Sequence, residues 1–194
     1  HGLVPIATAA LSAGAVGLGV SLPEEGERLR LAGLKGRIVV LALTLEDAAD
    51  LISNYDLEPV VARMEVADAL ARAGARRGKP VPVHLKVDTG LTRIGVDPDV
   101  ALDFCRWIAS DPWLELAGVM THFSAAERFD PQSALDQWRL FRPILEHVSR
   151  WSPRPVVHAS NSAAAAWFPP AWLDWVRGGL VTYGIAPVGR DLPF

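Results

Sequence analysis

The residues with the greatest chemical reach lie in four short runs, each placed where an apolar stretch gives way to polar residues. VPVHLKVDTGLTRIG, Val81 to Gly95, plants His84 and Lys86 in an apolar run and follows them with Asp88 and Arg93. GVMTHF delivers Thr121 and His122; VHASNS delivers His158, Asn161 and Ser162; VRGGLVTY delivers Arg177, the pair Gly178 and Gly179, and Tyr183. A serine at a helix start and a glycine pair in a neighbouring loop are how barrels of alternating strands and helices commonly hold a phosphate, through a hydroxyl and backbone amides. The same residue types also have plainer uses: a glycine pair makes a tight turn, and a solitary histidine at a strand end is often a hydrogen-bonded core residue.

Elements that could position these residues alternate along the chain. Val16–Val20, Ile38–Leu43, Leu57–Ala62, Val83–Asp88, Leu116–Met120 and Val156–Val157 read as short apolar strands, and Trp175–Tyr183 holds a last one with its loop. Helices are expected over 5–13, closed by Gly14; from Pro23 to a stop at Gly33; after Thr44, with Asp47 in a weak capping box; over 65–73, ending at Gly74; and from Asp97-Pro98, with Val100, Phe104 and Ile108 inward. Another begins at Asp130-Pro131, with Leu135, Trp138, Phe141, Leu145 and Val148 inward and a kink at Pro143. An Ala-rich helix capped by Ser162 completes the set. About seven strands recur at roughly 20–30 residues with no hairpin turn between them, and strands apolar along their whole length are those covered on both faces. The expected fold class is therefore α/β. No G-x-G-x-x-G follows a strand, so a TIM (β/α)8 barrel, incomplete and comprising about strands 2 to 8, fits better than a doubly wound sheet.

Composition narrows the function classes. In 194 residues, 50% hydrophobic, there is enough apolar material for one sizeable core. A net charge of -3 gives no basic footprint for nucleic acid or an anionic membrane surface. One cysteine, Cys105, excludes disulfide scaffolds and thiolate metal sites, so no metal is expected. No apolar run reaches the ~18 residues of a membrane span, and a cytoplasmic protein is expected.

Taken together and in order, VHLKVDTGLTRIG, GVMTHFSAAE, VHASNSAAA and VRGGLVTYG resemble the pyridoxal-phosphate barrel domain of alanine racemases, and the resemblance extends upstream through LGVSLPEEGERLRLAGL. It implies pyridoxal 5'-phosphate as cofactor, alanine as substrate, L-to-D interconversion by two-base proton transfer at Cα, a homodimer when full length, and a role in supplying D-alanine for the cell wall. Carried over by residue, Arg177 faces the cofactor's pyridine nitrogen, His158 braces Arg177, and His122 lies against the ring. Ser162 with the amides of Gly179 and Leu180 holds the phosphate beside Asn161. Arg93 serves the phenolic oxygen and the substrate carboxylate, and Lys86, a carbamylation candidate, orients Arg93.

The resemblance also implies what the chain leaves out. In the family the lysine bonded to the cofactor precedes an A-Y-G-H-G motif, and this chain opens His1-Gly2. The expectation is that residues 1–194 are one barrel domain truncated at both ends. The lysine and the opposing tyrosine, which comes from a β-rich C-terminal domain, would then lie outside it, leaving the chain alone inactive. Leu91-Thr92 stands where Met-Gly is common, Gly178 replaces a frequent Pro or aromatic, and Ala126-Glu127 replaces Thr/Ala-Asp. A serine or broad-specificity racemase, or a non-catalytic pyridoxal-phosphate-binding barrel, thus stands beside the alanine enzyme.

Overall fold

A computed structural model describes residues 1–128 and 131–186. Strand and helix alternate as α1 (Leu3–Ser12), β1 (Gly17–Val20), α2 (Pro23–Leu31), β2 (Arg37–Val40), α3 (Ala49–Asn54), β3 (Glu58–Val61), α4 (Met64–Arg77), β4 (Val81–Lys86), α5 (Pro98–Ser110), β5 (Leu114–Met120), α6 (Pro131–Val148), β6 (Val156–His158) and α7 (Ser162–Trp167). The six strands form one sheet in sequence order, with β1–β2, β2–β3 and β5–β6 parallel. A sequential order with a helix after each strand is the (β/α) barrel pattern, here incomplete. The expected seventh strand reduces to a single parallel bridge between His158 and Trp175, and Leu180–Tyr183 is a 3-10 turn.

The chain divides into two compact units, His1–His84 with Phe104–Ala117, and Leu85–Asp103 with the residues from Gly118 onward. In the first unit β2 and β3 are buried almost throughout, and α4 turns Val66, Ala67, Leu70, Ala71 and Ala73 inward. Each fully buried Val, Leu or Ile is worth about 1.5–3 kcal/mol, so this packing carries the unit. One ionic group is built into it. Glu58 opens β3 and takes a bidentate contact from Arg37 of β2 at 2.7–3.0 Å, while His84 of β4, fully buried, places Nε2 2.9 Å from the same carboxylate. Burial pushes the Glu58 carboxyl up, but the His84 and Arg37 contacts outweigh it and leave it below its ordinary value.

Several expected boundaries shift for identifiable reasons. Helix α4 does not stop at Gly74; it runs to Arg77 and closes on Gly78 at φ 72°, in the left-handed region. A Cβ at Gly74 would lie 2.8 Å from the Trp113 carbonyl oxygen and 2.9 Å from that of Lys79, so this glycine permits close backbone approach. The Thr44–Asp47 capping box does not form: Leu45 precedes a 3-10 turn, and the buried Thr44 hydroxyl has no partner among the described residues. Asn161 caps α7 in place of Ser162, accepting from the Ala164 N–H at 2.9 Å, and Ser162 is the first helical residue. Helix α5 buries Ala101, Phe104, Cys105 and Ile108 while Val100 is exposed, and α6 buries Ala134, Gln137, Phe141, Ile144 and Val148 while Leu135 is exposed. Asp130, expected to cap α6, lies outside the described residues.

Candidate functional site

Apart from His84, which belongs to the ionic group of the first unit, the candidate residues fall in the second unit. Lys86 ends β4 and is only 2% exposed, and no ion pair or hydrogen bond reaches its ammonium among the described residues. Burial, reinforced by the charges of Arg93 and Arg177 and partly offset by Asp88, lowers it to about 8. Beyond it the chain makes a compact loop. Val87 bridges Val96, and the Asp88 carboxylate accepts the N–H groups of Gly90 at 3.0 Å and Thr92 at 2.9 Å. Burial raises the Asp88 carboxyl, but backbone donors from Thr92, Gly90, Leu91 and Arg93 bring it below its ordinary range. Gly95 closes the loop at φ 150°, where a Cβ would lie 2.5 Å from the Asp88 nitrogen. Arg93 is thereby held on an exposed turn.

After β5 the residues 121–124 have no regular structure and are fixed by side chains. The Thr121 hydroxyl lies 2.7 Å from that of Thr89 and donates to the Val87 carbonyl at 3.0 Å. Gln137, on the buried face of α6, donates to Thr89 Oγ1 and to the His122 carbonyl, each at 3.2 Å, and accepts from the Ser124 N–H and hydroxyl at 2.9 and 3.0 Å. Asn161 donates to the Phe123 carbonyl at 3.4 Å. Sequence reasoning passed over Gln137, Thr89 and Ser124. Gln137 carried one usable signal, a polar residue four before Phe141 on the apolar stripe of a helix.

Arg177 is the centre. Its Nη1 donates to His158 Nδ1 at 2.8 Å, and its Nη2 reaches the carbonyls of Thr121 and Ala159, both at 2.8 Å, and His122 Nδ1 at 3.2 Å. A guanidinium only donates, so both histidines present an unprotonated Nδ1 to it. Every one of these partners is neutral, and burial alone lowers Arg177 to about 10. Burial also lowers His122 to about 3, helped by Arg177, Lys86 and Arg93, so its ring is neutral at ordinary pH. His158 is 1% exposed and tilts against Trp175, with ring centroids 5.5 Å apart.

The expected phosphate group is partly assembled. The Ser162 hydroxyl lies 3.9 Å from where a Cβ on Gly179 would sit, so the two come together and the glycine leaves the space open. The Gly179 N–H, however, donates to the Arg177 carbonyl at 3.1 Å, which commits one of the two expected amides. The Leu180 N–H begins the 3-10 turn and has no backbone partner among the described residues. Asn161 spends its carboxamide on the Ala164 N–H and the Phe123 carbonyl, which places it as a brace beside this corner. No cluster of His, Cys, Asp or Glu suited to a metal ion is found among the described residues.

These residues fit pyridoxal phosphate by one test internal to the molecule. Arg177 is a half-buried cation whose Nε–H finds no acceptor among the described residues, and a neutral pyridine nitrogen is an acceptor of the right kind. The family model described as alanine racemase, N-terminal domain, matches residues 1–187. The chain belongs to this family. An alanine racemase of Halothermothrix orenii is 40% identical over 193 residues, covering 99% of this chain and 51% of that one, and one of Desulfovibrio desulfuricans is 38% identical, covering 96% and 51%. Among solved structures, the alanine racemase of Streptomyces lavendulae matches with a TM-score of 0.90 at 34% identity, over 96% of this chain and 50% of that one. The Bacillus anthracis alanine racemase, solved with bound L-Ala-P, matches at 0.87 and 29%, over 100% and 51%. The chain spans about half the length of the curated alanine racemases it matches.

Proposed function

We propose that this chain is the cofactor-binding barrel of a pyridoxal-phosphate-dependent alanine racemase that interconverts L- and D-alanine. The observation that carries the reading is the half-buried Arg177 guanidinium, set among neutral acceptors with a donor to spare among the described residues. Bound there, the cofactor supplies an electron sink for charge developing at the substrate Cα. Arg177 offers the pyridine nitrogen a hydrogen bond without giving up its proton, which keeps the sink weak and favours return of the proton to Cα over loss of the amino group. His158 fixes the guanidinium plane through its 2.8 Å contact, and the neutral His122 ring would lie against the cofactor. Ser162 and the N–H groups of Leu180 and Gly179 would hold the phosphate.

Arg93 would serve the phenolic oxygen and the substrate carboxylate. Lys86 at about 8 carries an appreciable neutral fraction near pH 8, the form that attacks carbon dioxide. Its nitrogen forms the N–C bond and releases a proton, and the resulting anion pairs with Arg93 as an ammonium cannot. The two acid–base groups, a cofactor-linked lysine and a tyrosine, are assigned to parts of the protein outside this chain. In keeping with the family, a cytoplasmic homodimer that feeds D-alanine to cell-wall synthesis completes the reading. Among the described residues no helix is long and apolar enough to cross a membrane.

The test is Cα proton exchange in deuterated water with separate L-alanine, D-alanine and L-serine, using the full-length protein with and without pyridoxal phosphate. Exchange and inversion of alanine only with cofactor is the expected result; turnover of serine in preference to alanine overturns the substrate assignment. Arg177→Ala is expected to weaken cofactor binding about 10- to 100-fold, read by absorbance titration.

A further inference from the structure

We infer that Gln137 is a positioning residue for the His122–Arg177 pair, through a hydrogen-bond relay whose every direction is set; this rests on the function proposed above. The relay can be read from its far end. The Val87 carbonyl can only accept, so Thr121 Oγ1 spends its proton there, at 3.0 Å. Thr89 must therefore donate across the 2.7 Å contact to Thr121, and having spent its own proton it accepts from Gln137 Nε2 at 3.2 Å. The second Nε2 proton goes to the His122 carbonyl, and both lone pairs of Oε1 are taken by Ser124. All four capacities of a side chain 4% exposed are used, and none goes to its own helix.

The relay holds the stretch that carries the site. Residues 121–124 follow the end of β5, and the Thr121 N–H reaches the His158 carbonyl at 3.3 Å. Gln137 grips this stretch at the His122 carbonyl and the Ser124 N–H, and through Thr89 it sets the Thr121 side chain. The same two residues give Arg177 an acceptor each, the Thr121 carbonyl and His122 Nδ1. Displacing the 121–122 peptide moves both acceptors together, so the guanidinium and the imidazole turn as a unit. A glutamate is isosteric but, when ionised, presents an acceptor to the His122 carbonyl and cannot donate to Thr89.

The experiment uses the full-length protein with cofactor and compares wild type with Q137E, T89V and T89S. Two readouts are taken: steady-state racemisation, and long-range 1H–15N correlations of the histidine rings, with His122 assigned by its loss in H122N. Expected are a fall in kcat of about tenfold in Q137E with little change in KM, and a shift of the His122 Nδ1 and Nε2 resonances. T89V should move both readouts the same way, and T89S, which keeps the hydroxyl, should restore them. Wild-type kcat and ring signals in both Q137E and T89V, or equal effects of T89V and T89S, overturn the inference. If Q137E does not fold, the T89V and T89S pair decides. If the wild-type protein neither binds pyridoxal phosphate nor racemises alanine, the proposed function fails, and the His122 signals still decide on Gln137.

Discussion

Lys86 and His122 are both held away from their charged forms, and their effects on stability follow from that. The folded pKa of Lys86 is about 8 against an ordinary 10.5, so the unfolded chain binds more protons between those values, and stability rises with pH across that window. Below about pH 8 the buried ammonium is a full cost. In buffer free of carbon dioxide, Lys86→Met is expected to stabilise the protein at pH 7 by about 1–3 kcal/mol, with the gain vanishing toward pH 10.5, as read by urea unfolding. His122 at about 3 against 6.5 works in the same sense at lower pH. The stability it leaves intact above pH 6.5 is lost as pH falls toward 3, so His122→Asn is expected to flatten the acid limb of the melting-temperature profile between pH 6 and 4. The histidines, arginines and Lys86 were legible in the sequence because chemically reactive residue types stand out at the ends of apolar runs. Gln137 was not, because a polar residue in a helix is usually solvated, and only the placement of Thr89, His122 and Ser124 makes it a hub.

At the scale of elements, the strands were legible because runs such as Ile38–Val40 and Val60–Val61 are apolar on both faces. Helix faces were harder. On α5 both Val100 and Ala101 are apolar, and the small Ala101 and Cys105 take the inward side where close packing needs little volume. Glycine was ambiguous in the same way: Gly74 and Gly78 lie one turn apart, and a helix stop and a close approach call for the same residue. Their substitutions separate the two uses. Gly78→Ala is expected to cost about 1 kcal/mol, from the left-handed backbone alone. Gly74→Ala forces a Cβ against two carbonyl oxygens and is expected to cost about 2–3 kcal/mol, measured in the same urea titration.

For the whole molecule, the division of labour follows the two compact units. The first holds the Arg37–Glu58–His84 group and most of the aliphatic packing, together with Cys105, whose thiol burial pushes up to about 12. That thiol is expected to resist an aromatic disulfide reagent at pH 8 until the protein unfolds, so the rate of thiol release reports opening of this unit. The second unit gathers Lys86, Arg93 and Arg177 around His122, with Asp88 as the nearby carboxylate already occupied by backbone donors. Although the chain carries a net charge of -3, this corner is short of negative charge. Burial is the larger cause of the lowered Lys86 value, but in buffer free of carbon dioxide an anion bound here offsets the part that Arg93 and Arg177 add, so ligand capture and proton capture are coupled. Near pH 8, where Lys86 stands close to half-protonated, binding a phosphorylated anion should draw protons from the buffer. Calorimetric binding enthalpies should then scale with the ionisation enthalpy of the buffer used.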